Sequence, residues 1–251
     1  MDIANGISHP FLFFIHVPKT AGSSIFQFLY RVYEDRIGLF YEKDVNEWNQ
    51  VLQQPDLPFD CVFGHYWYGL HDSVNRPFEY TAFVRDPIEA ILSYIYFINR
   101  RVGEWPYLTT SQTITPDNLS DLPEEMINLY FRNYQTAYLA GKQNASAEET
   151  KKIINFHYPI LGITEMFHES VYLLKRRYNW GPVEVYYVNV TPNRPTRKQF
   201  SKGTIQRIQK LVNVDTQIYH YAKKRLQQAI RSLPSNEREL IEQFKKTGRL
   251  P

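Results

Sequence analysis

The stretch His16-Val17-Pro18-Lys19-Thr20-Ala21-Gly22-Ser23-Ser24 gathers a lysine, three hydroxyls, a single glycine and otherwise small side chains. Set between an apolar run and a helical pattern, it makes an anion cradle. Backbone N–H groups and the positive end of the helix face the ligand, and the ammonium adds a point charge. A nucleotide-binding P-loop needs Gly, four residues, then Gly-Lys-Ser/Thr. Here Lys19 precedes the only glycine, so the cradle suits a phosphate-like group held otherwise than in an ATPase. An ordinary strand-to-helix turn capped by hydroxyls would read the same way, and spacing alone leaves both readings open.

Tyr80-Thr81-Ala82-Phe83-Val84-Arg85-Asp86-Pro87-Ile88-Glu89, followed by Ser93-Tyr94, forms a second strand-to-helix junction. Arg85 at the strand's end and Ser93 about two turns into the helix can hold one phosphate by a guanidinium fork and a hydroxyl. A surface arginine beside a well-capped helix is the alternative. Among the 7 histidines, His65 in Phe63-Gly64-His65 directly follows a strand-like run, which places it on the sheet edge that carries both anion motifs. Imidazole titrates near working pH and suits a general base. His71, six residues on, is the reserve base. His16 is expected to fix the first turn, and His157, His168 and His220 to be structural. No His/Asp/Glu cluster has metal-ligand spacing, so no metal is expected.

These side chains need a scaffold that brings strand ends together. Phe11–Val17 is a continuous apolar run typical of a buried parallel strand. Ser23–Tyr33 follows as a helix, with Phe26, Leu29, Tyr30 and Tyr33 on one face. Asp60–Phe63 and Tyr80–Val84 are further strands, and Asp86 as N-cap with Pro87 at the first helical position opens a helix to about Asn99. Residues 105–145 read as a turn-rich insertion with one helix from about Glu124 to Leu139. Ser146-Ala147-Glu148-Glu149 fits a capping box for a helix ending near His157. Ile160–Ile163 and Val183–Val188 are expected strands of the same sheet, separated by a helix from about Met166 to Tyr178. Asp215 to about Ser232 is a long amphipathic helix, and the charged tail after Pro234 is expected to fray or pack lightly. Strands alternating with helices predict one α/β domain over residues 1–251, with a central parallel sheet flanked by helices.

The chain has 251 residues and a formal net charge of +3, too little for a bulk nucleic-acid binder and compatible with a local anion site. Its single cysteine, Cys61, excludes an internal disulfide framework and a Cys-based zinc site. No apolar run approaches the roughly 20 residues of a membrane span. The amino terminus has no basic segment or long apolar stretch of the secretory kind, so a soluble, cytoplasmic protein is expected. The 39 aromatic side chains are unevenly spread, 13 of them within residues 59–107. Tyr66, Trp67 and Tyr68 follow the candidate base, and at least one is expected to line an acceptor pocket.

Pro18-Lys19-Thr20-Ala21-Gly22-Ser23-Ser24 resembles the 5′-phosphosulfate loop of sulfotransferases that use 3′-phosphoadenosine-5′-phosphosulfate (PAPS). It is most similar to the Golgi-type carbohydrate group, including the heparan and chondroitin 2-O-sulfotransferases. Arg85-Asp86-Pro87 with Ser93 resembles that family's 3′-phosphate motif, and the likeness extends through Tyr94-Ile95-Tyr96-Phe97. The resemblance implies the sulfotransferase version of the P-loop-NTPase-like fold, PAPS as donor and adenosine 3′,5′-bisphosphate (PAP) as product. It implies that Lys19 stabilises the departing phosphate, that Thr20, Ala21, Gly22, Ser23 and Ser24 form the cradle, and that Arg85 and Ser93 take the 3′-phosphate. The family has a Gly-His at this place, which assigns His65 as base. Lys202-Gly203, opening a late helix, matches the basic Gly-containing loop that closes over the cofactor. Ser23 stands where relatives usually have Thr, and Ala90 where they commonly have Arg.

The implied reaction is sulfuryl transfer to an acceptor hydroxyl on a saccharide, glycolipid or small metabolite. Tyr66, Trp67, Tyr68, His71, Arg100 and Arg101 are candidate acceptor contacts. Golgi relatives carry a membrane anchor, so a soluble bacterial-type member is expected. A nucleotide or small-molecule kinase on a related fold is the alternative, disfavoured by the missing Walker spacing. A nucleotide-binding module without catalysis is the other, disfavoured by the presence of Lys19, His65, Arg85 and Ser93 together.

Overall fold

A computed structural model describes residues 10–41, 45–100, 113–185 and 196–251. In chain order the elements are β1 (Phe11–Ile15), α1 (Gly22–Tyr33), β2 (Ile37–Phe40), α2 (Val45–Leu52), β3 (Cys61–Gly64), β4 (Phe78–Val84), α3 (Pro87–Asn99), α4 (Glu124–Tyr130), α5 (Tyr134–Ala140), α6 (Ala147–His157), β5 (Gly162–Ile163), α7 (Phe167–Tyr178), β6 (Val183–Glu184), α8 (Lys202–Leu211), α9 (Asn213–Arg231), α10 (Ser235–Thr247) and β7 (Arg249–Leu250). Among the described residues no helix is long and apolar enough to cross a membrane.

Five strands form a parallel sheet in the order β2-β3-β1-β4-β5, the architecture expected from the alternating pattern. All five residues of β1 are buried, because helices cover both faces of the sheet and leave no polar side. On one face Phe14 packs against Phe63 and Phe83, with Phe26 of α1 and Phe167 of α7 above them. On the other, Phe13 stacks on Tyr80 at 4.7 Å, and Tyr66 and Tyr158 close over the pair. Burying each such ring stabilises the sheet by about 1.5–3 kcal/mol.

The chain leaves β1 for the far edge, returns to β3, then crosses β1 to β4, so the strand order reverses beside β1. Ligands of open α/β sheets bind at such a point, outside the carboxyl ends of the strands. Register completes the arrangement: Ile15 lies opposite Gly64 on β3 and Ala82 on β4. One residue further, His16 comes level with His65.

Four expectations need correction. The helix expected over Glu124–Leu139 is two helices, α4 and α5, because Asn133 adopts a left-handed φ of 46° between them. The strand expected over Ile160–Ile163 is only Gly162–Ile163. The strand expected over Val183–Val188 does not join the parallel sheet. Its described part pairs antiparallel with Arg249–Leu250, and residues 186–188 lie outside the described residues. The tail after Pro234 is ordered as α10, which buries Ile241 and Phe244, with the Phe244 ring edge-on to His168 of α7 at 4.7 Å. An apolar stripe that narrow is hard to see in so charged a segment.

Candidate active site

The loop between β1 and α1 holds an unusual backbone. Lys19 and Ala21 both have positive φ, 67° and 72°, with Thr20 between them. Left-handed conformations at non-glycine residues cost about 1 kcal/mol or more and concentrate where a loop must present its N–H groups to a ligand. Thr20 is buried, and its hydroxyl donates to the Val17 carbonyl at 2.8 Å, so its side chain holds the loop closed from within. Ser23 is exposed and Ser24 buried in the first turn of α1. Gly22 is required by contact: a Cβ there would lie 1.6 Å from Nε2 of His16, whose ring covers the start of α1. The Lys19 ammonium sits 4.1 Å from the centroid of the Phe97 ring on α3. Ser93 lies one turn before Phe97 on that helix, on the same face.

Arg85 follows β4. Its guanidinium donates to the Lys19 carbonyl at 3.2 Å and lies 3.9 Å from the Glu165 carboxylate. Asp86 caps α3 as the sequence indicates, accepting from the N–H groups of Ile88 and Glu89. The loops carrying Lys19 and Arg85 are therefore tied together directly.

His65 follows β3. One ring nitrogen, Nδ1, is 2.7 Å from the His16 carbonyl. A carbonyl only accepts, so Nδ1 must carry the proton, and the lone pair of the neutral ring is on Nε2. Among the described residues Nε2 makes no hydrogen bond. The ring stacks on His16 at 4.3 Å and meets Tyr41 edge-on at 5.0 Å. The side chain nonetheless remains exposed to solvent. Burial against these rings lowers the pKa of His65, the bond from the His16 backbone opposes this, and the Lys19 charge adds to the lowering. His16 is lowered further, by burial first and then by His65 and Lys19, and Nδ1 of its neutral ring is hydrogen-bonded to the Tyr41 hydroxyl at 2.7 Å.

Two consecutive residues of α5 brace both loops from behind. The Tyr134 hydroxyl donates to the Pro18 carbonyl at 3.1 Å, and the Gln135 amide bonds both backbone groups of Arg85, at 2.9 and 3.1 Å. The start of α5 is held by Asp215 of α9, which accepts from Gln135 N, Thr136 N and the Thr136 hydroxyl. Asp215 is 2% exposed, and burial raises its pKa to about 6 against the pull of those donors. A folded-state pKa above the unfolded one means that stability is full below the unfolded value near 3.8 and declines as pH rises towards 6. Asp215→Asn should remove this decline, which amounts to up to about 3 kcal/mol. Urea unfolding of both proteins from pH 4 to 7 measures it, and parallel pH curves would refute the assignment.

The structure thus brings Lys19, Arg85, Ser93 and His65 to neighbouring strand ends. Tyr66, Tyr68 and His71 lie elsewhere. Tyr66 is buried in the core with its hydroxyl on the Val62 carbonyl, so it faces no ligand. Tyr68 packs on His71, Tyr80 and His157. His71 is 4.7 Å from Phe78, at the opposite end of β4 from Arg85, about 20 Å of strand away. The Trp67 ring adjoins the site through Tyr138, whose ring is edge-on to His65 at 6.5 Å. Arg100 is exposed at the end of α3 over Tyr96, and Arg101 lies outside the described residues. Lys202 and Gly203 are exposed in the first turn of α8. From the preceding turn Arg197 reaches the α3 junction, where it bonds Asp86 and Glu89. Sequence reasoning missed Tyr41, Glu165, Tyr138, Asp215 and the α5 pair.

No protein-family model and no curated protein matches the chain. Two solved structures that it resembles are sulfotransferases. That of Alicyclobacillus acidocaldarius is 12% identical, with a TM-score of 0.48 over 92% of this chain and 100% of that chain. Mouse sulfotransferase SULT7A1 complexed with PAP is 11% identical, with a TM-score of 0.42 over 81% of this chain and 64% of that chain.

Proposed function

We propose that the chain is an O-sulfotransferase that uses PAPS and acts on a hydroxyl of a saccharide or other glycoconjugate. One observation carries this reading: a neutral imidazole with its lone pair on Nε2 stands beside a strained loop where an ammonium, a guanidinium and a helix N-terminus converge. Base and anion site together are what in-line sulfuryl transfer needs.

The fit to the donor rests on the loop after β1. Its alternating left-handed residues and the start of α1 form a concave N–H surface for a phosphosulfate, and Lys19 lies within that loop. When bound, the donor supplies an activated sulfuryl group. His65 takes the acceptor hydroxyl's proton at Nε2. Lys19 meets the charge that grows on the leaving phosphate oxygen. Arg85 and Ser93 hold the 3′-phosphate, with Arg85 kept in place by Gln135, Glu165 and the Lys19 carbonyl.

Isothermal titration calorimetry tests the reading. PAP should bind more tightly than ATP, and Arg85→Ala should weaken PAP binding about 10- to 100-fold, the worth of one charged hydrogen-bonded contact. Tighter binding of ATP than of PAP would indicate a kinase-like module and overturn the proposal.

A further inference from the structure

The residues expected to meet the acceptor, Tyr66 and Tyr68, turn away from His65, yet an aromatic surface does reach it from another direction. Strand alternation puts Leu39 and Tyr41, Phe63 and His65 on the sheet face that α1 covers. Near the edge strand β2 that cover is incomplete. Tyr30, Leu39 and Tyr41 are 56%, 45% and 41% exposed, and the three lie together on this face.

The two tyrosines are linked to the site by ring contacts. Tyr30 adjoins Phe26 at 5.9 Å, Phe26 stacks on Phe63 at 5.9 Å, Phe63 meets Tyr41 at 6.0 Å, and Tyr41 meets His65 at 5.0 Å. Phe63 itself is fully buried, so what a ligand can reach of this strip is Tyr41 beside the His65 ring, with the partly buried Phe26 and exposed Tyr30 beyond it. Tyr41 is also held at its far end, by the hydroxyl bond to His16, so little ring freedom remains to be lost when something lies on it. Its phenol is pushed up by burial and stays neutral, so Tyr41 offers a flat, uncharged ring face beside His65.

We propose, on the basis of the sulfotransferase reading above, that Tyr41 is the acceptor-binding residue next to His65. The acceptor is a ring compound that lays a flat apolar face, arene or pyranose, on Tyr41 and extends along Phe26 and Tyr30. Rings of this kind stack on sugar and arene faces, and a Tyr supplies the contact with two side-chain torsions to fix.

The test uses the full chain with PAPS and three acceptors: 2-naphthol, 4-nitrophenyl β-D-glucopyranoside and glycerol. The ring acceptors should exceed glycerol at least tenfold in kcat/KM. Tyr41→Ala should raise the KM for both ring acceptors at least tenfold, with kcat changing less and the calorimetric Kd for PAP unchanged, and Tyr41→Phe should retain the low KM. Tyr30→Ala, at an exposed position that folding does not need, should raise the KM for the longer glucoside more than for 2-naphthol. Turnover of glycerol equal to that of the rings, or an unchanged KM in both alanine variants, overturns the acceptor strip and leaves the sulfotransferase reading standing. No turnover of either ring acceptor by protein that binds PAP also overturns the strip. Failure of PAP to bind at all overturns the reading beneath it instead.

Discussion

Lys19→Ala is expected to lower kcat for sulfuryl transfer by about 100- to 1,000-fold, the cost of removing one preorganised donor from a developing oxyanion. Lys19 is held for that purpose at both ends. Its backbone has a φ of 67°, its carbonyl accepts from Arg85, and its ammonium rests on the Phe97 ring. The charge matters most when the phosphate oxygen is leaving, so the loss should fall on kcat more than on PAP affinity. A second consequence follows from electrostatics: Lys19 helps to depress the His65 pKa, so removing it should move the acidic limb of the kcat/KM profile to higher pH. The fold should survive, since the ammonium–ring contact is worth about 0.5–2 kcal/mol. Near-normal kcat in a folded Lys19→Ala protein, checked by thermal melting, would refute the role. Lys19→Arg should recover part of the rate, because the charge is kept while the wider fork displaces it.

The parts of this site that are local in sequence were legible, and the parts that depend on distant packing were not. β1 followed from an unbroken apolar run, and α3 from the Asp86 cap and Pro87, down to its last residue Asn99. Lys19, Arg85 and Ser93 sit on those units and came with them. Tyr41 did not, because β2 is four residues long, contains Gly38, and leaves Leu39 exposed, so no period-2 signal marks it. Its link to His16 spans 25 positions. Asp215 was equally hidden: on its own helix it is one charge near the amino end, and only the fold shows that it closes the start of another helix 79 residues away. The Tyr66-Trp67-Tyr68 run shows the opposite limit. Composition marked a cluster of rings correctly, but successive residues of a loop point different ways, and the core took Tyr66 while Trp67 stayed near the site.

His65→Ala is expected to abolish measurable transfer while PAP still binds, since the imidazole is assigned to the acceptor and not to the donor. A positioned base contributes about 100- to 10,000-fold. The structure specifies which nitrogen does this: Nδ1 donates to the His16 carbonyl, so the base is Nε2. His65→Asn separates the two nitrogens. Its amide can replace the Nδ1–H bond to His16, but an amide has no basic nitrogen, so it should be as inactive as alanine while matching wild type in thermal stability. The pH profile supplies an independent sign. Burial and Lys19 lower the His65 pKa, so the ring is neutral at pH 7. Wild-type kcat/KM should then be flat above neutrality and fall only below the ordinary imidazole range, as Nε2 gains its proton. Residual activity in the variants should lack that acidic limb. If His71→Ala removes the limb and His65→Ala does not, the base has been misassigned, although His71 packs beside Phe78 at the far end of β4, where neither Lys19 nor Arg85 is near.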